Sequence, residues 1–213
     1  MGEDALIVIG DIHGCSKSLK YLLEIIPEGR EIYSTGDLID RGPDPAGVVA
    51  LCIKRGIKPV MGNHEHMFLD YIDNSGLYDR GTFLMNGGAS TLHSYGGVIN
   101  EEHIEFIRKL PLHIETDHFI LSHAGVNRVM TLAEAGKVGK NLKIHILWNR
   151  AGLSDIGKLQ VTGHNVKKEV TKIHGDKGLI GISIDTGCVY PHFGKLSAVS
   201  FPEMEIFQVE CMD

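Results

Sequence analysis

Leu6-Ile7-Val8-Ile9-Gly10-Asp11-Ile12-His13-Gly14 decides the fold. Four consecutive apolar residues fit a strand covered on both faces. The glycine-framed Asp-x-His that follows puts a carboxylate and an imidazole at the strand's carboxyl end. The arrangement recurs twice. Ile32–Ser34 runs into Gly36-Asp37-Leu38-Ile39-Asp40-Arg41-Gly42, and Ile57–Met61 runs into Gly62-Asn63-His64-Glu65. Open α/β sheets bind ligands beyond the carboxyl ends of their strands, and these side chains suit a two-metal hydrolytic centre.

Helical patterns separate the three runs. Leu19, Leu22, Leu23 and Ile26 form one apolar stripe, with Ser16 or Ser18 as the expected cap and Pro27 and Gly29 as the stop. A second helix is expected over Pro43–Lys54, with Val48, Val49, Leu51 and Cys52 inward, and a third from Glu65 through Tyr71. The glycine-rich middle, Asp73–Gly97, contains one helical stretch near Ala89–Tyr95, and Glu101–Lys109 reads as another short helix. Beyond His113 the pattern turns to strands: Ile114-Glu115, Phe119–Leu121, Leu159–Thr162, Leu179–Ile184, Lys195–Phe201 and Glu205–Val209. A βαβαβ start followed by strands predicts a layered α/β fold with mixed sheets flanked by helices. Neither a linker nor a repeat interrupts it, so residues 1–213 are expected to form one domain.

The composition is that of a globular protein, with 43% hydrophobic and 23% charged residues among 213. A net charge of −6 argues against a broad nucleic-acid-binding surface. Cys15, Cys52, Cys188 and Cys211 show no CxxC spacing and read as reduced thiols, Cys15 being a small packing residue. The acidic start Met1–Asp4 lacks a signal-peptide pattern, and no apolar run nears the ~20 residues of a membrane span. The expected compartment is the cytoplasm, with no membrane partner. There is no GxxxxGK[ST] loop, GxSxG elbow or HExxH helix, so a covalent serine or cysteine nucleophile lacks support.

Two later stretches extend the series: Ser122-His123-Ala124-Gly125 and Thr162-Gly163-His164-Asn165. Taken together, the five motifs resemble those of the phosphoprotein-phosphatase-type metallophosphoesterases. Among these, the short chain resembles the bacterial and bacteriophage serine/threonine phosphatases, and the symmetrical diadenosine tetraphosphate hydrolases are also similar. The resemblance runs from Gly10 to about Val189, where Ile184-Asp185-Thr186-Gly187-Cys188-Val189 looks like the family's late strand. It implies two divalent metal ions, with Asp11 and His13 on the first, Asn63, His123 and His164 on the second, and Asp37 bridging. It makes His64 the general acid and Asp40 its partner, with a metal-bridging hydroxide attacking phosphorus directly. Arg41, and Arg150 within Leu147-Trp148-Asn149-Arg150, would hold phosphate, since a planar guanidinium fits phosphoryl oxygens in a bidentate manner.

The charges agree with that arrangement. Asp11 and Asp37 neutralise only half the charge of two divalent cations, and the remaining donors are neutral. The surplus can hold a phosphate dianion and bring a water toward a pKa of ~7. Mn²⁺ is the first metal to try; Fe and Zn also suit a mixed N/O donor set without thiolates. The expected activity is hydrolysis of phosphate monoesters, foremost phosphoserine or phosphothreonine in proteins, with a phosphoprotein or a small phosphorylated molecule as partner. Symmetrical diadenosine tetraphosphate hydrolysis is the alternative, and a non-catalytic scaffold stabilised by metal is a third. The remaining histidines, among 12 in all, match no motif and read as surface or satisfied residues; Asn86-Gly87-Gly88 reads as a tight turn. Asn165 after His164 and the stretch Tyr190-Pro191-His192-Phe193 depart from the family pattern, and are expected to alter hydrogen bonding and the rim of the site.

Overall fold

Leu6–Ile9 forms strand β1, buried along its whole length in the computed structural model, which describes residues 5–127, 145–190 and 194–213. Its side chains divide by parity. Ile7 and Ile9 enter a core shared with helices, while Leu6 and Val8 enter a second core that contains Phe119, Leu121, Val161 and Ile182. Alternate residues of a strand point to opposite faces, so an uninterrupted apolar run needs a layer on each side.

The chain continues through α1 (Ser16–Ile25), β2 (Glu31–Ser34), α2 (Pro45–Arg55) and β3 (Lys58–Pro59). Strands β1, β2 and β3 pair in parallel, as the expected βαβαβ unit requires. Four helices follow: α3 (Asn63–Asp73), α4 (Arg80–Phe83), α5 (Ala89–Ser94) and α6 (Glu101–Arg108). Next come β4 (His113–Glu115), β5 (Ile120–Ser122), β6 (Gln160–Thr162), β7 (Thr171–Gly175) and β8 (Gly178–Ser183), which pair in the order β4-β5-β6-β8-β7. The chain then returns to the first sheet with β9 (Lys195–Phe201) and β10 (Ile206–Glu210), giving β10-β9-β1-β2-β3. Both sheets are mixed, and the two pack face to face through the second core.

Several local expectations shift. The Ile57–Met61 run yields only the two-residue β3, at the sheet edge, where Pro59 has no N–H to offer a further partner. Helix α2 starts at Pro45, because Asp44 is the cap and its side chain accepts from Gly47 N at 3.0 Å. The polar strand β7 was not legible; it is an edge strand whose residues alternate between exposed and half-buried. Residues 184–189 follow β8 as a turn instead of forming a late strand. Asn86-Gly87-Gly88 lies at a kink between α4 and α5, where Gly87 takes the non-helical φ of 102°. No described helix is long and apolar enough to cross a membrane. Residues 128–144 and 191–193 lie outside the described residues, as do Met1–Asp4.

Helix α1 is capped from a distance. Neither serine caps it, since Ser16 and Ser18 lie inside the helix. Instead the Asp213 carboxylate accepts from Lys17 N at 3.0 Å, Ser18 N at 2.9 Å and Ser18 Oγ at 2.7 Å. An anion there satisfies otherwise unpaired N–H groups and the positive helix end. Replacing Asp213 by Ala should therefore lower stability by about 1 kcal/mol. Urea denaturation of the variant tests this, and an unchanged midpoint would deny the cap any energetic role.

Candidate metal centre

The parallel strands β1, β2 and β3 of one sheet and β5, β6 and β8 of the other turn their carboxyl ends toward a common region. The segments that follow them carry Asp11 and His13, Asp37 to Arg41, Asn63 to Glu65 in the first turn of α3, His123, His164 and Asp185. Apart from Arg41, all of these residues named here are buried within the protein.

Glu65 ties two of these loops together. Its carboxylate accepts four backbone hydrogen bonds: from Asp37 N at 2.9 Å, Leu38 N at 2.8 Å, Ile39 N at 3.3 Å and Gly62 N at 2.9 Å. Burial pushes its pKa up to about 7, while three of these bonds, those from Leu38, Asp37 and Gly62, pull it down. The contact is close enough to require glycine at position 62, where a Cβ would lie 2.2 Å from Asp37 Oδ1 and 2.5 Å from Glu65 Oε2. The sequence showed Glu65 as the last member of a motif but not this role.

The backbone is strained where the candidate donors lie. Seven described non-glycine residues have positive φ, and five of them are His13, Asp37, Asp40, Arg41 and His164. Such conformations cost about 1–3 kcal/mol each, and they concentrate at functional sites because surrounding structure must hold them.

Hydrogen bonds fix the ring orientations. His13 Nδ1 lies 2.9 Å from Ile39 O and His123 Nδ1 lies 2.8 Å from Thr35 O. A carbonyl only accepts, so each Nδ1 carries the proton and each Nε2 presents a lone pair. Those lone pairs face Asp37 Oδ2 at 3.5 Å from His13 and 3.4 Å from His123. Asn63 Oδ1 lies 2.9 Å and His164 Nδ1 3.2 Å from His123 Nε2. Acceptors thus converge with no proton between several of them, an arrangement that fits a cation. His13, Asp37 and His64 form one group and Asp37, His123 and His164 another, with ligand atoms within 4.8 Å in each. Asp37 belongs to both. Asp11 lies outside these two groups; its carboxylate accepts from Thr35 Oγ1 at 2.6 Å and His164 N at 2.9 Å.

Electrostatics point the same way. Burial raises Asp11 well above the usual carboxylate range, with the charges of Asp185 and Asp37 adding to it. Asp37 is raised by burial and then by Glu65. Burial holds His13 well below its ordinary value, His123 at about 4 and His164 at about 2. The protein alone disfavours both carboxylate anions and imidazolium cations, so bound metal cations would relieve the first without requiring the second. The donor set of oxygen and imidazole nitrogen suits divalent ions of intermediate softness.

His64 stands beside this cluster. Its Nδ1 lies 2.7 Å from Asp40 Oδ2, and its Nε2 is 3.9 Å from Asp37 Oδ2. Asp40 is held in turn by Thr91, whose Oγ1 donates to Oδ1 at 2.5 Å and accepts from Asp40 N at 3.0 Å. Burial pushes Asp40 up to about 7, whereas burial followed by the Arg41 charge holds His64 well below its ordinary value.

Arg41 donates to His13 Nε2 at 2.6 Å and stacks over the Tyr190 ring at 5.4 Å. Its backbone N donates to Gly87 O at 3.2 Å, and a Cβ on Gly87 would strike the Arg41 side chain at 2.8 Å. The Asn-Gly-Gly segment therefore supports the arginine as well as turning the chain. Arg150 is exposed and donates to Asn165 Oδ1 at 3.4 Å, so the residue departing from the family pattern meets this guanidinium. Arg41, Arg150, Asp37, Asn63 and His64 line one cleft of about 300 Å³, together with Lys167 and Tyr190. Lys167, Asp185 and Thr35 were not anticipated; each lies outside the recurrent motifs or inside a stretch assigned only to a strand. Other histidines are occupied locally, as His66 with Tyr78 and His103 with Tyr95, both at 2.8 Å.

The model of a family described as calcineurin-like phosphoesterase matches residues 5–187. The chain is 27% identical to bis(5'-nucleosyl)-tetraphosphatase PrpE [asymmetrical] of Oceanobacillus iheyensis, across 95% of this chain and 90% of that one. A shorter match, 46% identical over 84 residues and 38% of each chain, joins it to serine/threonine-protein phosphatase 1 of Salmonella typhimurium. Among solved structures, the cold-active protein-tyrosine phosphatase of a Shewanella species shares the fold with a TM-score of 0.67 and 17% identity, across 98% of this chain and 81% of that one.

Replacing Glu65 by Gln puts an NH₂ group against backbone N–H donors. The expected cost is about 3 kcal/mol of stability and an at least roughly tenfold weaker affinity for Mn²⁺. Urea denaturation and calorimetric metal titration measure the two effects. Wild-type values in both would show that the carboxylate does not organise the centre.

Proposed function

The chain belongs to the calcineurin-like phosphoesterase family, and we propose that it hydrolyses the phosphoanhydride chain of a dinucleoside polyphosphate at a centre of two divalent cations. The single observation that carries this reading is the charge of the cleft. Arg41, Arg150 and Lys167 line it beside Asp37, Asn63 and His64. Three side-chain cations, added to the surplus of a metal pair, exceed what one phosphate monoester dianion can balance. A polyphosphate chain supplies the additional anionic oxygens. The relative that aligns across nearly the whole chain bears a dinucleoside tetraphosphatase name, which supports the same class.

In this reading Asp11 and His13 serve one cation, Asn63, His123 and His164 the other, and Asp37 both. Mn²⁺ is the preferred ion, with Fe and Zn compatible with the donors. When bound, the pair supplies the Lewis acidity that makes water a nucleophile at neutral pH. Arg41 holds the phosphoryl group under attack, its guanidinium leaving His13 Nε2 for phosphate oxygens. Arg150 and Lys167 hold the phosphates further along the chain. His64 is positioned by Asp40 to give a proton to the leaving oxygen, and the phosphate anion favours the charged imidazole that burial and Arg41 oppose. The thiols, none of them in a disulfide, support a cytoplasmic place, and residues 1–213 act as one domain.

The second reading is a serine/threonine protein phosphatase, favoured by the 46% identity over 84 residues to an enzyme of that name. The two readings differ in their need for an acid. A departing nucleotide phosphate is stable as an anion, whereas a serine or threonine alkoxide must be protonated.

The deciding experiment compares Mn²⁺-dependent cleavage of diadenosine tetraphosphate with phosphate release from a phosphothreonine peptide. The dinucleotide should have the higher kcat/KM, and a preference for the peptide would reverse the assignment. Product analysis gives the bond cleaved: ATP with AMP for asymmetrical attack, ADP alone for symmetrical attack.

Two variants test the roles. Replacing His64 by Asn should lower kcat on the phosphopeptide by about 10³-fold while costing the dinucleotide about tenfold or less. Equal losses on both would count against His64 as the acid. Lys167→Ala should lower kcat/KM for the dinucleotide about tenfold and leave p-nitrophenyl phosphate nearly unaffected. Equal losses on these two substrates would remove Lys167 from the phosphate chain.

A further inference from the structure

Three of the four cysteines meet in space although they are far apart in the sequence. Cys15 follows β1, Cys188 follows β8, and Cys211 follows β10, yet their sulfurs all lie within 4.8 Å of one another. None is in a disulfide. Cys15 and Cys188 are buried and Cys211 is exposed, so the group reaches from the interior to the surface. The Cys15 thiol donates to His13 O at 3.6 Å and also meets the Cys188 thiol. Cys188 and Cys211 also line a cavity of about 340 Å³ with Glu210 and Asp213, and no Lys or Arg is among its described lining residues.

We propose that Cys15, Cys188 and Cys211 form a second metal site, distinct from the hydrolytic centre, for a thiophilic cation of the Zn²⁺ or Cd²⁺ class. The spacing fits. With metal–sulfur bonds of about 2.3 Å, three thiolates around one ion place their sulfurs about 4 Å apart. The chemistry also separates the two centres: sulfur donors select soft cations, whereas the Asp, Asn and His donors around Asp37 suit harder ones. Glu210 and Asp213 beside the cavity add negative charge, and the open side leaves a fourth position for water. Each thiol releases its proton to solvent as the cation binds. Spacing along the chain hides such a site because no two of the three lie in one motif.

A bound ion would join the loop of Asp11 and His13, the turn of Asp185 and the segment that caps α1. Binding to the folded form alone stabilises it, so a thiophilic ion should raise Tm, and by more as its free concentration rises above Kd.

The test uses the full chain, reduced and with the hydrolytic centre filled with Mn²⁺, titrated with Cd²⁺. One equivalent should produce a near-ultraviolet thiolate-to-cadmium charge-transfer band, to which imidazole and carboxylate ligands do not contribute. Cys211→Ser, at an exposed position, should weaken the apparent affinity by at least about tenfold and reduce the rise in Tm at a given Cd²⁺ concentration. Cys52→Ser should preserve both, since Cys52 is buried in α2 away from the cluster. Absence of the band at stoichiometric Cd²⁺, or an unchanged band in Cys211→Ser, would overturn the proposal.

Discussion

Four backbone N–H groups on one buried carboxylate hold this centre in shape. Glu65 receives them from residues 37, 38, 39 and 62, and so locks the loop after β2 against the loop after β3. The first loop carries Asp37, and the second leads into the first turn of α3, which carries Asn63 and His64. A hydrogen bond to an ionised acceptor is stronger than a neutral one, and four of them offset much of the cost of burying the charge. The same contact leaves no room for a side chain at position 62. Glu65 thus fixes the relative position of donors it does not itself join.

That rigidity is what allows the backbone to remain strained. His13, Asp37, Asp40, Arg41 and His164 all occupy the left-handed region, where residues with a Cβ are disfavoured. Each turn aims a side chain that a relaxed loop would send elsewhere. The compensation lies in the cores on the two faces of β1 and in hydrogen bonds behind the donors, such as those between His13 and Ile39, His123 and Thr35, and Asp11 and Thr35. A local conformation of this kind is affordable only where the layers around it are already closely packed.

Electrostatics then set what the site can accept. Buried carboxylates resist ionisation, buried imidazoles resist protonation, and their lone pairs converge on the same space. Cations resolve all three conditions together. Arg41 occupies part of that space, bonded to His13 and backed by Tyr190 and Gly87. The arginine thereby links the metal-binding region to a cleft whose other cations, Arg150 and Lys167, extend away from it.

The sequence by itself determined the parallel β1-β2-β3 unit, because continuous apolar runs need covering layers and periodicity along a chain is local information. It also determined which residue types would stand at the strand ends, since each motif directly follows its strand. Asp37, Asn63, His123 and His164 were legible for that reason, as was the His64–Asp40 pair through the family resemblance. Only the tertiary structure decided the rest. Glu65 bonding across to residues 37–39, Asp213 capping a helix that starts at Ser16, Lys167 in the cleft and the meeting of Cys15, Cys188 and Cys211 all join segments far apart in the chain. The two-residue β3, the polar edge strand β7 and the kink at Gly87 beside Arg41 likewise depend on neighbours. Periodicity reports which face of a segment is apolar; it carries no information about which distant segment will pack there, and that contact fixes caps, strain and charge.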